Sequence, residues 1–166
     1  MKKSLLFTLV LVVFGSFLFI HIASSGEKDE SLVQYPEGYR TWTHVKSMVI
    51  QKGHPMHDVF GGIHHIYANE EVLKALKDGN PYPDGSVIVF DLLEAKSINN
   101  TIVEGLRKYV AVMQKGANKF TDTGGWGFEV FKGDSKERAV TDPRNDCFLC
   151  HKSQILADFV FSKYRP

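Results

Sequence analysis

Cysteine is scarce in this chain: 166 residues contain two, Cys147 and Cys150. A scaffold stapled by many disulfides is therefore excluded. Charge of one sign is lacking too. The formal net charge is +1 and no block of like charges stands out, which leaves no electrostatic case for a nucleic-acid partner. There is no internal repeat, and only one long apolar run, so solenoid and multi-pass membrane architectures drop out. A hydrophobic content of 43% excludes disorder and suits one ordinary globular domain.

The apolar run lies at the N-terminus. Met1-Lys2-Lys3 is a short basic segment, Leu5 to Ile20 is apolar, and Ala23, Ser24, Ser25 and Gly26 supply small residues for cleavage. This layout predicts a signal peptide over 1–25, with an uncleaved N-terminal membrane anchor as the competing reading. No cysteine follows the run, which excludes a lipoprotein anchor. Residues 26–34 then read as a linker and 35–166 as the exported domain, placed in the periplasm or otherwise outside the cytoplasm of a bacterium.

What the chain does have is Cys147-Phe148-Leu149-Cys150-His151. A disulfide across two intervening residues would close a tiny loop and contribute little stability. A redox-active Cys-x-x-Cys would normally open a helix in a βαβ pattern, which is not seen here. The histidine directly after the second cysteine changes the reading, because Cys-x-x-Cys-His is the attachment signature of a c-type haem. On a helix, positions i, i+3 and i+4 share one face. Cys147 and Cys150 can then bond to the two porphyrin vinyl groups, and His151 can ligate iron as the proximal ligand. Asp146 or Asn145 is expected to cap a helix that opens at the first cysteine. One haem c is the expected cofactor.

No Met or His follows His151. A sixth iron ligand would have to come from upstream, where the candidates are Met48, Met56, Met113 and the histidines at 44, 54, 57, 64 and 65. His54 and His57 flank Pro55-Met56 and suggest a weak surface metal site with no clear third ligand. A motif so late in the chain favours a haem that closes onto a pre-built scaffold, with an open distal position.

That scaffold reads mainly as strands. Ser86 to Glu94, Gly124 to Lys132 and Gly62 to Ala68 are strand candidates. Tyr109 to Met113 is another, although Ile102 to Lys115 also scores as helix. Glu70 to Asp78 is a short amphipathic helix with Val72, Leu73 and Leu76 inward. A last helix, starting at the haem motif, carries Ile155, Leu156, Phe159 and Val160. The predicted class is α+β, mainly antiparallel β-sheet with a few short helices and a C-terminal haem-attachment helix.

Several segments together resemble one family. They are Tyr35-Pro-Glu-Gly-Tyr-Arg-Thr-Trp42, His65-Ile-Tyr-Ala-Asn69, Pro83-Asp-Gly-Ser-Val-Ile-Val-Phe90, Trp126-Gly-Phe-Glu-Val-Phe131 and the haem motif before a short tail. Their order is similar to that of the cytochrome P-460 and cytochrome c′-beta family, over about Tyr35 to Pro166. The resemblance implies an antiparallel β fold with His-ligated, usually five-coordinate haem c. Members are often dimers, so a homodimer is among the expected partners.

The two branches of that family differ in the distal pocket. In cytochrome P-460 a strand lysine is cross-linked to the haem, and a distal carboxylate assists hydroxylamine oxidation. In alignment the lysine falls at Phe90 and the carboxylate near Ala111, neither of which can play those parts. Asp91 and Glu104 are the nearest acids that could restore a catalytic reading. The resemblance makes Phe60 and Phe90 candidates for the aromatic wall of the cytochrome c′-beta branch, although ordinary core packing suits either residue. His64 and His65 face opposite sides of a strand, so at most one addresses the haem. His64 aligns near a distal-pocket arginine and could donate to a bound ligand or ligate iron.

The expected function is an exported monohaem c protein that binds NO or CO in an apolar pocket. The alternatives are a hydroxylamine-oxidising enzyme and an electron carrier with an upstream sixth ligand. The redox partner is not named by any residue.

Overall fold

A computed structural model describes residues 32–79, 81–163 and 165. The signal segment expected over 1–25, and the linker up to residue 31, lie outside the described residues. Five strands form one antiparallel sheet in sequence order: β1 Thr43–Ile50, β2 Gly62–Ala68, β3 Val87–Ile98, β4 Thr101–Lys115 and β5 Trp126–Lys132. With few short helices added, the architecture is α+β and mainly antiparallel, as the sequence predicts.

Local chemistry accounts for most of these boundaries. In β3 the run Val87 to Leu93 is almost wholly buried, as expected of a central strand covered on both faces. Asn99 and Asn100, at φ 49° and 62°, form the two-residue turn that joins β3 to β4. Paired left-handed residues match the twist of the flanking strands, so the stretch from Ile102 to Lys115 runs as strand and not as helix. Helix α2, Glu70–Asp78, begins where the Asn69 side chain accepts the Val72 amide and ends at a left-handed Gly79. Val72 and Ala75 are its buried positions, whereas Leu73 and Leu76 are half-buried. Strand β1 has no counterpart among the predicted elements. It is an exposed edge strand with a register shift between His44 and Lys46, so its alternation is weak.

The sheet separates two clusters. One face packs Ile66, Ala68, Ile88, Met113, Trp126 and Phe128 against Val72 of α2 and Val160 of the tail. The other packs Val89, Val110, Val112 and Phe131 against Val33 and Tyr39. Register fixes which side chains share the first face. Lys46, Ile66, Phe90, Ala111 and Val130 face one another in a single row across all five strands.

The C-terminal region departs from expectation at both ends. The helical run starts at Arg144 and not at Cys147: it is π-type over Arg144–Phe148, α over Leu149–His151 and 3-10 over Lys152–Ala157. Its N-cap is Pro143, and not Asn145 or Asp146, with no side-chain cap; at the entry Asp142 accepts the Asn145 amide at 3.1 Å and Asp146 accepts the Asp142 amide at 3.2 Å. The run ends at Ala157, and Asp158 and Phe159 both adopt left-handed conformations. Ile155 and Leu156 consequently face solvent, while Val160 turns back into the core.

Candidate functional site

A cavity of about 290 Å³ lies between the first face of the sheet and the C-terminal helical run. Its floor comes from Ile66, Ile88, Phe90, Ala111, Met113 and Phe128 of the sheet, and its far wall from Cys147, Cys150, His151 and Phe161. Phe60, from the single-turn helix α1 (His57–Phe60), closes one side with Met48 and Met56. The motif residues and three of the four distal candidates, Phe60, Phe90 and Ala111, therefore meet in one cavity.

His151 is oriented by the strained turn that follows it. Its Nδ1 lies 2.8 Å from the Phe159 carbonyl oxygen. A carbonyl can only accept, so Nδ1 carries the proton and the Nε2 lone pair is left available. Burial lowers the pKa of His151, which keeps the ring neutral. The rings of Phe128 and Phe161 pack on it, each with a centroid separation of 5.0 Å. The left-handed pair Asp158–Phe159 is costly for non-glycine residues and is held by the Asp158 carboxylate. That carboxylate takes both oxygens to Lys115 Nζ, at 2.8 and 2.9 Å, and faces Trp126 Nε1 at 3.4 Å.

Both thiols are free. Cys147 is half-buried, and burial, aided by the charges of Asp146 and Glu129, pushes its thiol up to about 11. Cys150 is exposed. Two thiols and a neutral imidazole with a free Nε2, around an apolar cavity, form a donor set that fits a c-type haem. Cys147 and Cys150 are the residues that could tether it and His151 the one that could hold its iron.

The row that holds Phe90 and Ala111 is apolar apart from Lys46 at its edge. Phe90 and Ala111 are direct cross-strand partners, and the rings of Phe60 and Phe90 stand nearly perpendicular, 6.1 Å apart. His64 is on the same face but does not line the cavity. It is fully buried, its ring lies 4.2 Å from that of Phe90, and its Nε2 meets the Phe60 carbonyl at 2.5 Å. Burial lowers its pKa, so this ring is neutral as well. His65 points to the opposite face, where it meets Ser47 at 2.6 Å and Glu104 at 2.7 Å.

Of the possible sixth ligands, Met48, Met56 and Met113 line the cavity, and none of the histidines at 44, 54, 57, 64 and 65 does. Among the described residues no group of three His, Cys, Asp or Glu could hold a metal ion, so His54 and His57 gain no third ligand. Asp91 and Glu104, the acids considered for a catalytic role, lie on the opposite face. Asp91 is buried against Arg107 Nε at 2.7 Å, and Glu104 pairs with His65.

Sequence reasoning missed the acids and the cation that do line the cavity: Glu129, Asp146 and Lys46. Glu129 is already committed, to Arg138 at 2.6 Å and to the amides of Val130 and Val140. Lys46 follows the register shift in β1, so alternation did not reveal its side. Phe128 stood in the quoted Trp126 to Phe131 segment, but only the fold sets it against His151.

A family model described as cytochrome P460 matches residues 36–162. No curated protein matches the chain.

Proposed function

The chain belongs to the cytochrome P460 family and is a c-type haem protein, and from that premise we propose that it binds small uncharged diatomics such as NO or CO. In this reading Cys147 and Cys150 would attach one haem c and His151 would ligate its iron. Haem c would supply the iron centre to which such a ligand binds. The chain's own residues supply the discrimination. Phe60, Phe90 and Ala111 present carbon where charged or hydrogen-bonding groups would favour water and anions. The single observation that carries the proposal is the Phe90–Ala111 pair at the centre of the distal floor.

The same pair argues against hydroxylamine oxidation. The two positions that align with the cross-linking lysine and the carboxylate hold a phenyl ring and a methyl group. Asp91 and Glu104 cannot replace them, since both are engaged on the opposite face. These two residues support a reading nearer the cytochrome c′-beta branch than the hydroxylamine oxidisers. The second reading is an electron carrier, which the three lining methionines favour, since thioether ligation serves electron transfer. Export to the periplasm, through a leader over residues 1–25, and a homodimer belong to the same proposal.

Optical spectroscopy of the reduced holoprotein tests it. A high-spin ferrous Soret band and ready CO uptake are expected. A low-spin ferrous spectrum that resists CO would select the carrier, and a strongly red-shifted ferrous band would signify a haem cross-link and reject the distal assignment.

A further inference from the structure

Phe60 ends a helix of one turn, His57–Phe60, too short to persist without tertiary support. Its last carbonyls have no partners within the helix. Two of them are taken by donors from different strands. His64, on β2, directs Nε2 to the Phe60 carbonyl at 2.5 Å. Lys108, on β4, directs Nζ to the Gly61 carbonyl at 2.9 Å. The chain then turns through Gly61 and Gly62 with no room for side chains. A Cβ on Gly61 would meet His57, and one on Gly62, at φ +140°, would meet the Leu93 carbonyl.

His64 makes a further sacrifice. Its Nδ1 is buried without a hydrogen-bond partner, a cost that leucine would avoid. Its ring also packs against Phe90. One buried side chain thus touches the Phe60 backbone and the Phe90 ring without lining the pocket.

We infer that His64 and Lys108 are positioning residues that latch the corner carrying Phe60, so that the distal wall is fixed and small ligands enter only when the corner loosens. The inference rests on the gas-binding reading for its consequence, while the latch itself is a property of the Gly61–Gly62 corner. The Lys108 ammonium acts as an adjustable strut, and the His64 imidazole joins the corner to Phe90.

Two measurements on the holoprotein test this. The first is hydrogen exchange at the Phe60 and Gly61 amides, which bond to Met56 and His57 at 2.8 and 2.7 Å. Lys108→Met, which keeps the aliphatic stem and removes the donor, should raise their exchange about fivefold, the effect of one lost hydrogen bond. Unchanged exchange overturns the latch. Lys108→Arg, retaining a donor, should restore protection.

The second is CO recombination after photolysis. Lys108→Met and His64→Leu should each speed it, as should Phe60→Ala, and Lys108→Met should add nothing in the Phe60→Ala background. Full additivity would overturn the coupling to Phe60. If His64→Leu fails to retain haem, Lys108→Met still decides the question. A wild-type protein that takes up no CO would defeat the gas-binding reading alone, since exchange at the corner is read independently of it.

Discussion

The Nδ1 of His151 and the carbonyl oxygen of Phe159 are 2.8 Å apart, across a turn whose two residues are both left-handed. The imidazole is therefore aimed by backbone that cannot hold itself. Asp158, paired with Lys115 and facing Trp126, supplies the restraint.

Asp158→Ala should release that turn. Loss of the carboxylate leaves a largely buried Lys115 without its ion partner, and we expect ~1–3 kcal/mol of destabilisation in denaturant titration. A weaker hydrogen bond from Nδ1 makes the imidazole a poorer donor to iron, so the reduction potential should rise. Asp158→Asn, which tolerates the left-handed region, should recover much of the stability. Equal potentials in all three proteins would show that the turn does not act on His151.

Phe90→Ala should open the distal floor. CO or NO association is expected to speed up by about tenfold, equal to ~1.4 kcal/mol from the entry barrier. Because Phe90 is only half-buried, its stability cost should be ~1–3 kcal/mol, below that of a fully buried ring. Flash photolysis with denaturant titration checks both. Unchanged rates would make the ring ordinary core.

Cys147→Ser and Cys150→Ser, made singly, should each leave haem bound after denaturation through the remaining thioether. Made together they should release it. Denaturing electrophoresis with haem staining reads the result, and haem retained by the double variant would contradict attachment at these residues.

Acid should destabilise the protein in part through His64. Its folded pKa is lowered from 6.5, first by burial and then by nearby Lys108 and His65. The neutral ring is favoured on folding, so its contribution is complete above about pH 6.5 and is lost as pH falls through the depressed value. Stability of wild type and His64→Gln, measured from pH 8 to 4.5, should diverge least at the acid end. Parallel curves would show that His64 does not titrate with unfolding.

Much of this was written in the sequence. The spacing Cys147, Cys150, His151 is a local chemical pattern, and α2 is delimited by its own cap at Asn69 and its own glycine. The strand β2 was legible from Gly62 to Ala68, and Phe90 and Ala111 through family resemblance. The edge strand β1 was not, because an exposed edge need not alternate. The terminal turn was not, since nothing local distinguishes Asp158-Phe159 from the helix before it; the Lys115 carboxylate pair, 43 residues away, makes the difference.

The sequence by itself determined the chemistry on offer: two thiols, one late histidine, and a phenyl ring and a methyl group at the positions that align with a lysine and an acid. Only the tertiary structure decided which groups share a side. Antiparallel register set Phe90 beside Ala111 and sent Asp91 and Glu104 to the opposite face. Packing pulled His64 behind the phenyl rings instead of into the cavity. Residue types fix what a side chain can do, but strand alternation and long-range pairing fix what it can reach.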